Sequence, residues 1–373
     1  MRESLSLYFH IPFCRSRCHY CSFNSYSGLD WLTPQYLQAL TKEMRSWARQ
    51  EPVDTVYLGG GTPTLLDSGQ LDAVLQACAR SFGVCGDAEI TIEANPGDID
   101  RPFLEELRAL GINRLSLGVQ SWDDAALKRL GRRHSAAEAE AAYGLARTAF
   151  DNVNIDLLYA VPGQTLEQWR QALERALSLE PDHLSLYPLS VEEGTALSAD
   201  IASGRMVKAD PDLAAEMFLM AEEALAAYEH YEISNWARPT KRCRHNLTYW
   251  RNLPYLGFGA GAHSSVEGRR WYNVLSPIDY VRKIDETGSA VEGQEDIDEA
   301  LEMAETVILG LRLGDGVSRD AFAGRFDKDI DIVYAEEVSE LVDLGLLLDD
   351  GGAIRLTQRG RLLGNQVFLR FLP

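Results

Sequence analysis

The segment Cys14-Arg-Ser-Arg-Cys18-His-Tyr-Cys21 puts three thiols on one short loop, directly after the apolar stretch Leu5 to Phe13. Thiolates at that spacing can hold three irons of a 4Fe-4S cluster and leave the fourth without a protein ligand, as is needed when a cluster binds a small molecule as well as carrying electrons. The same triad would serve a disulfide, a structural zinc site or plain apolar packing. Residues 1 to 13 contain Arg2, Glu3, His10 and Pro12 and no small-residue cleavage site, so no secretory leader is expected. A reduced, cytosolic chain follows, which disfavours the disulfide. Structural zinc asks for a fourth ligand and usually a second cysteine pair; only His19 is at hand. Cys78, in the pattern Leu71 to Ala79, is expected as a small core hydrophobe, and Cys85 as an ordinary loop residue.

Something must hold that loop. Short β-branched or aromatic runs, Leu5 to Ile11, Thr55 to Leu58, Glu89 to Glu93, Arg114 to Val119, Asn152 to Tyr159 and His183 to Leu189, alternate with amphipathic stretches. The stretches are Gln35 to Arg49, Ser68 to Phe82, Pro102 to Leu110, Ala136 to Ala149 and Leu166 to Leu179. Strict alternation predicts parallel strands with crossover helices, and six units predict an incomplete barrel. In such barrels the loops after the strand C-termini build the site. The unusual residues fall there: the cysteine loop, Gly59-Gly-Gly-Thr62-Pro-Thr64, Glu93-Ala-Asn95-Pro96, Gln120-Ser121 and Asp156. Five polar features on five successive strand ends are hard to explain as turns.

The C-x3-C-x2-C spacing resembles the radical S-adenosylmethionine (SAM) superfamily, in which the open iron chelates SAM and one electron cleaves it to a 5'-deoxyadenosyl radical. The other strand-end residues suit that ligand. Glycines 59 to 61 would let backbone approach the methionyl group closely. Glu93 would accept from ribose hydroxyls, Gln120 and Asp156 offer polar contacts, and Arg132 would meet a carboxylate in a forked geometry. As plain structure, Glu93 and Asp156 would be helix N-terminal acids and Arg132 a solvated charge.

The series Tyr8-x-His10-Ile-Pro-Phe-Cys14, GGGTPT at 59–64, EANP at 93–96, LGVQS at 117–121, NIDLLYAVPGQT at 154–165 and CRHNLTYW at 243–250 is similar to the oxygen-independent coproporphyrinogen oxidase branch of that superfamily, and within it to the haem-chaperone subgroup. The resemblance covers nearly the whole chain. It implies that Cys14, Cys18 and Cys21 ligate the cluster and that Tyr8, Tyr20, Gly60, Gly61, Thr62, Glu93, Gln120, Arg132 and Asp156 line the SAM region. It also implies an α/β fold, a partial (β/α)6 barrel with a small C-terminal helical, winged-helix-like domain, divided here into 1–273 and 274–373. Three departures from the oxidases put decarboxylation in doubt: Phe23 replaces a further cysteine, no long N-terminal extension precedes Tyr8, and His245-Asn246-Leu-Thr-Tyr249-Trp250 matches the subgroup's HNxxYW signature.

That signature has its own chemistry. His245 offers an imidazole nitrogen as an axial haem ligand, with Cys243 as the less favoured alternative, and Tyr249 and Trp250 offer flat area to the macrocycle. Lys241, Arg242 and Arg244 are cations for haem propionates. Read as plain structure, His245 is an interior hydrogen-bonded histidine and the aromatics are core. The following run, Tyr255 to His263, has the wrong spacing for a dinucleotide fingerprint; it is either backbone set against adenine or haem or a tight structural turn.

The composition of the 373 residues, 46% hydrophobic and 25% charged, is that of a soluble globular protein, and no apolar run reaches membrane-spanning length. A net charge of -20 argues against a phosphate-backbone partner. After a polar, acidic break at 274–300, helices over 301–311 and 333–344 and a hairpin around Gly351-Gly352 suggest a winged-helix shape. Asp349 and Asp350 on that hairpin favour an interaction or lid role over DNA binding. The expected function is haem binding and transfer to acceptor haem proteins, respiratory-chain enzymes by the resemblance, with an electron donor if SAM is cleaved and with transient membrane association left open. The alternatives are the oxidase itself and a metal-stabilised interaction protein without SAM chemistry.

Overall fold

A computed structural model describes residues 4–372. The first half alternates as expected: β1 (Leu5–Ile11), a two-residue pair β2 (Phe13–Cys14) and β3 (Tyr26–Ser27), α1 (Thr33–Ser46), β4 (Arg49–Gly60), α2 (Ser68–Ser81), β5 (Phe82–Ala94), α3 (Arg101–Ala109) and β6 (Arg114–Gln120). There follow α4 (Asp124–Arg129), α5 (Ala136–Ala149), β7 (Val153–Tyr159), α6 (Leu166–Ser178) and β8 (His183–Pro188). Three crossover helices start at capping boxes, Asp67 with Gln70, Ser135 with Glu138 and Thr165 with Gln168, in which side chains satisfy otherwise free N–H groups.

Each strand of the arc carries two different faces. Leu5, Leu7, Phe9 and Ile11 are buried under the helices, as are Leu115, Leu117 and Val119 on β6 and Val153, Ile155 and Leu157 on β7. The alternate positions are polar and turn inward: Tyr8 and His10, Tyr57, Glu93, Arg114 and Ser116, Asn154 and Asp156, His183 and Ser185. A period of two therefore makes a bore that is polar inside and sealed by apolar packing outside.

The barrel arc is larger than six strands. After α7 (Ala196–Ala202) and α8 (Pro211–Ala224), β9 (Glu229–Glu232) and β10 (Asn235–Ala237) extend the arc antiparallel beyond β8. After α9 (Arg244–Trp250), β11 (Tyr255–Phe258) adds a seventh parallel strand on the outer side of β1. The Gly-rich run thus begins as a strand. Gly257 is required there because a Cβ would lie 2.1 Å from the His263 carbonyl oxygen. From β11 the antiparallel strands β12 (His263–Val266), β13 (Arg269–Asn273) and β14 (Val291–Asp296) continue the sheet, which has twelve strands in the order β14-β13-β12-β11-β1-β4-β5-β6-β7-β8-β10-β9.

The boundary expected after residue 273 needs correcting. β13 and β14 pair across it, from Arg269 with Asp296 to Asn273 with Val291, and α10 (Pro277–Thr287) packs on α1. A buried carboxylate joins these pieces: Glu43 accepts from Gly259 N, Asn273 Nδ2 and Tyr280 OH. The second unit begins near residue 298, with α11 (Glu299–Gly310), β15 (Val317–Ser318), α12 (Arg319–Phe326), α13 (Ile330–Val333), α14 (Ala335–Asp343) and the hairpin β16 (Leu347–Asp349) and β17 (Ala353–Leu356) around its own core. β15 pairs with β17, completing the three-stranded wing. Asp349 and Asp350 are paired with Arg319 and Arg355.

Candidate functional site

The strand ends converge on one cavity of about 480 Å3. It is lined by Cys14, Cys18, Cys21 and Tyr20 from the cysteine loop, Gly60, Gly61 and Thr62 at the end of β4 and just past it, Glu93 and Asn95 around the end of β5, Gln120 at the end of β6 with Arg132 beyond it, and Asp156 of β7. Of the residues expected at the SAM region, only Tyr8 lies elsewhere. Its hydroxyl is hydrogen-bonded to His10 Nδ1 at 2.9 Å and its ring borders a neighbouring cavity, separated from the first by Gly60, Glu93 and Phe23.

Backbone pairing fixes the cysteine loop. Gly61 N donates to Ile11 O and Thr62 N to Phe13 O, each at 2.8 Å, so the Gly-rich loop is laced to the chain just ahead of Cys14. A Cβ at Gly61 would lie 2.7 Å from Phe13 O, and one at Gly60, where φ is +108°, 2.4 Å from the His10 ring. Packing on the cysteine-loop side thus requires these glycines whatever ligand approaches them, a constraint the sequence expectation had not included. His19 turns away from the thiols: its Nδ1 meets Arg129 O at 2.9 Å and its N–H donates to Leu130 O. All six cysteines are unpaired, and the three on the loop are half-buried at the cavity wall. Among the described residues no three His, Cys, Asp or Glu side chains converge on the position of a single ion.

Arg132 is no solvated surface charge. It donates to Cys18 Sγ at 3.3 Å, to Gly118 O at 2.7 Å and to Asn95 Oδ1, while its Nε has no partner. Nor are the two acids helix caps. Burial, with Asp156 nearby, pushes the Glu93 carboxyl up to about 7 despite donors from Tyr57 OH and Gly60 N. Burial also raises Asp156, which accepts from Asn154 and Ser116. Gln120 stands at a β-bulge with φ +68°, a costly conformation for a residue with a Cβ. The donor set fits an open-iron cluster with a zwitterionic nucleoside: three thiols at one end, half-buried carboxylates at the other, and a fixed cation against one thiol.

Sequence reasoning missed Tyr57, Arg114, Ser116, Asn154, Ser185 and Tyr187, all of which line this cavity. The signal was present in the polar residues at every second position of apolar strands.

The HNxxYW segment is where expectation and structure part. α9 lies inside the bore, with Thr248 Oγ1 2.7 Å from Ser6 Oγ. His245 is 2% exposed, its Nδ1 hydrogen-bonded to Thr55 Oγ1 at 2.7 Å and its Nε2 to Tyr249 OH at 2.9 Å, and it stacks on Tyr57 at 4.9 Å. Burial, with Arg114 nearby, drives it down to about 3, so the ring is neutral and both nitrogens are spent. As an axial ligand it would have to leave this place. Cys243 is 0% exposed, and burial pushes its thiol up to about 12. Glu89 takes the first free N–H groups of α9, from Arg244 and His245. Trp250 faces the C-terminal unit, under the Arg312 guanidinium at 4.6 Å. The basic flank is already paired: Arg242 with Glu229 and Asp315, Arg244 with Asp87 O and Asp54, Lys241 with Asp151 O. Only Asn246 reaches the main cavity and only Tyr249 the neighbouring one. The polar bore needs a polar plug, and the contacts of His245 are those of the interior hydrogen-bonded histidine that the sequence also offered.

Residues 8–176 match the Radical SAM superfamily and residues 297–363 the HemN C-terminal domain, the latter starting where the second core starts. The chain is 37% identical to Heme chaperone HemW of Bacillus subtilis, covering 98% of this chain and 99% of that one. It is 34% identical to Heme chaperone HemW of Escherichia coli, covering 99% and 98%. Among solved structures it superposes on coproporphyrinogen III oxidase (HemN) from Escherichia coli with a TM-score of 0.87 at 27% identity, covering 99% of this chain and 90% of that one.

Proposed function

The chain belongs to the HemW haem-chaperone family of radical SAM proteins, and we propose the division of labour that follows. It binds a 4Fe-4S cluster, SAM and haem, and passes haem to acceptor haem proteins. Cys14, Cys18 and Cys21 hold the cluster, supported by their joint place on one cavity wall. Glu93, Gln120, Asp156 and the Thr62–Asn95 pair face the nucleoside end. Arg132 orients the Cys18 side through its N–H to sulfur. When bound, the cluster supplies an electron and an open iron, and SAM a cleavable sulfonium.

The carrying observation is the convergence of three thiols and five strand ends on one cavity in a chain that matches haem chaperones from end to end. We further propose respiratory-chain enzymes as acceptors and a cytoplasmic location, which six unpaired cysteines suit. No helix among the described residues is long and apolar enough to cross a membrane.

The HemN likeness supports the oxidase as a second reading. Anaerobically reconstituted protein, assayed in parallel for haem retention and for carbon dioxide release from coproporphyrinogen, separates the two. Stable haem binding without turnover is expected; turnover with no haem retention reverses the assignment. Replacing Cys14, Cys18 or Cys21 with Ala should abolish the intact cluster, whereas Cys78→Ala, in the core, should keep it.

A further inference from the structure

The cavity beside the SAM region has a volume of about 410 Å3, within the range of small-molecule sites. Its lining is aromatic on several sides: Tyr8, Phe23, Tyr249 and Tyr255. Three histidines stand in or next to it, and their nitrogens are not equally free. His10 spends Nδ1 on Tyr8 OH and Nε2 on Asn24 O, and His245 spends both nitrogens as described. His263, at the start of β12, is exposed and borders the cavity, and among the described residues neither of its ring nitrogens has a hydrogen-bond partner. Its ring is propped against Tyr272, its cross-strand neighbour, at 5.4 Å.

The mouth is apolar. Phe23 is 68% exposed, Leu275 61% and Tyr272 41%, large values for side chains with no evident duty at the surface. Phe23 and Leu275 are held together through Asn24, whose Nδ2 donates to Leu275 O at 2.9 Å. Tyr26 OH also donates to Leu275 O.

We propose that this cavity is the haem site and that His263 is the iron's axial ligand, with Phe23, Tyr249 and Leu275 against the macrocycle. The proposal rests on the haem-chaperone assignment and refines it. A planar aromatic macrocycle with a ligand-accepting metal matches a free imidazole beside flat apolar walls. The HNxxYW motif then acts indirectly: His245 is a positioning residue that fixes the Tyr249 hydroxyl, and Tyr249 forms the wall.

The test is ferric haem titration of the full chain with its cluster, followed by Soret absorbance and low-temperature electron paramagnetic resonance, on wild type, His263→Ala, His245→Ala and Tyr255→Phe. His263 is exposed and makes no hydrogen bond, so its loss leaves folding intact, checked by iron and sulfide content. His263→Ala is expected to lose the wild-type ligand signature, weaken haem at least tenfold, and regain the signature with added imidazole. A wild-type signature and affinity in His263→Ala, or a signature lost only in His245→Ala or Tyr255→Phe, overturns the inference while leaving the chaperone assignment standing. Wild type that retains no haem at all removes that assignment, and the inference with it.

Discussion

His245→Ala distinguishes a buried structural histidine from an exposed ligand by the size of its effect on stability. The substitution removes the partners of Thr55 Oγ1 and Tyr249 OH, leaving two hydroxyls without a bond inside the bore. Each orphaned group costs about 1–3 kcal/mol. Vacating about 60 Å3 at ~24 cal/mol per Å3 adds about 1.5 kcal/mol. Partial hydration of so polar a site returns some of this, and a net loss of about 3–5 kcal/mol is expected. A ligand displayed at the surface would change stability by no more than about 0.5 kcal/mol when removed. Urea unfolding of cluster-loaded protein, followed by tryptophan fluorescence, reads the difference.

A second arm comes from titration. The His245 ring is held at about 3 in the folded chain against about 6.5 when unfolded. Between those values the unfolded chain binds the extra proton, so the stability associated with the neutral ring is complete above about pH 6.5. It is lost as pH falls toward 3, at about 1.4 kcal/mol per pH unit. His245→Ala should flatten the acid limb by about one proton. A variant as stable as wild type, with an unchanged acid limb, would refute the bore-plug account.

Other outcomes follow from single contacts. Gly61→Val drives a side chain into Phe13 O, so it should lower cluster incorporation as well as SAM binding, measured by iron and sulfide content and by SAM titration. Arg132→Met removes the N–H donor to Cys18 Sγ and should lower the cluster's reduction potential in an anaerobic redox titration; an unchanged potential would show that contact to be idle. Gln120→Gly relieves the positive φ and should raise stability by about 1 kcal/mol in urea unfolding while weakening SAM binding. Charge reversal at Arg242, held by Glu229 and Asp315, should leave haem affinity unchanged, since that cation is not free for propionates.

What was legible in the chain is what local rules govern. α5 runs over the expected residues, 136 to 149, because Ser135 and Glu138 form its capping box, a purely local device. The six arc strands were readable because their apolar face repeats at every second residue. The cysteine loop and the polar strand ends were readable because barrel geometry puts successive strand ends on one face. What failed depended on long-range pairing. Tyr255 to Phe258 joins β1 across some 250 residues of chain, which no local pattern announces. Glu89, inside β5, looks like one more strand residue until α9 arrives and presents its free N–H groups. The boundary at 273 was drawn on a change in composition. Yet β14 is exposed along most of its length, and a solvated edge strand reads as polar sequence whether or not it belongs to the sheet.

The same physics explains what the HNxxYW residues do in the bore. A bore lined by Ser6, Tyr8, Thr55, Tyr57 and Glu89 cannot be closed by leucines without stranding those polar groups. It needs a helix whose inner face supplies matching donors and acceptors. α9 does so: Thr248 for Ser6, His245 for Thr55, and backbone N–H groups for Glu89. Each residue of the signature is thereby tied to a different task. His245 and Thr248 close the bore, Asn246 reaches the SAM-side cavity, Tyr249 walls its neighbour, and Trp250 seats the C-terminal unit through Arg312 and Phe368. One short helix therefore touches both cavities and the appended unit, so a shift of α9 is felt at all three places. Loss of haem on altering any one of these residues would not identify it as the iron's ligand. Only a signature restored by exogenous imidazole does that, and among the described residues His263 is the histidine at this cavity with nitrogens free to give one.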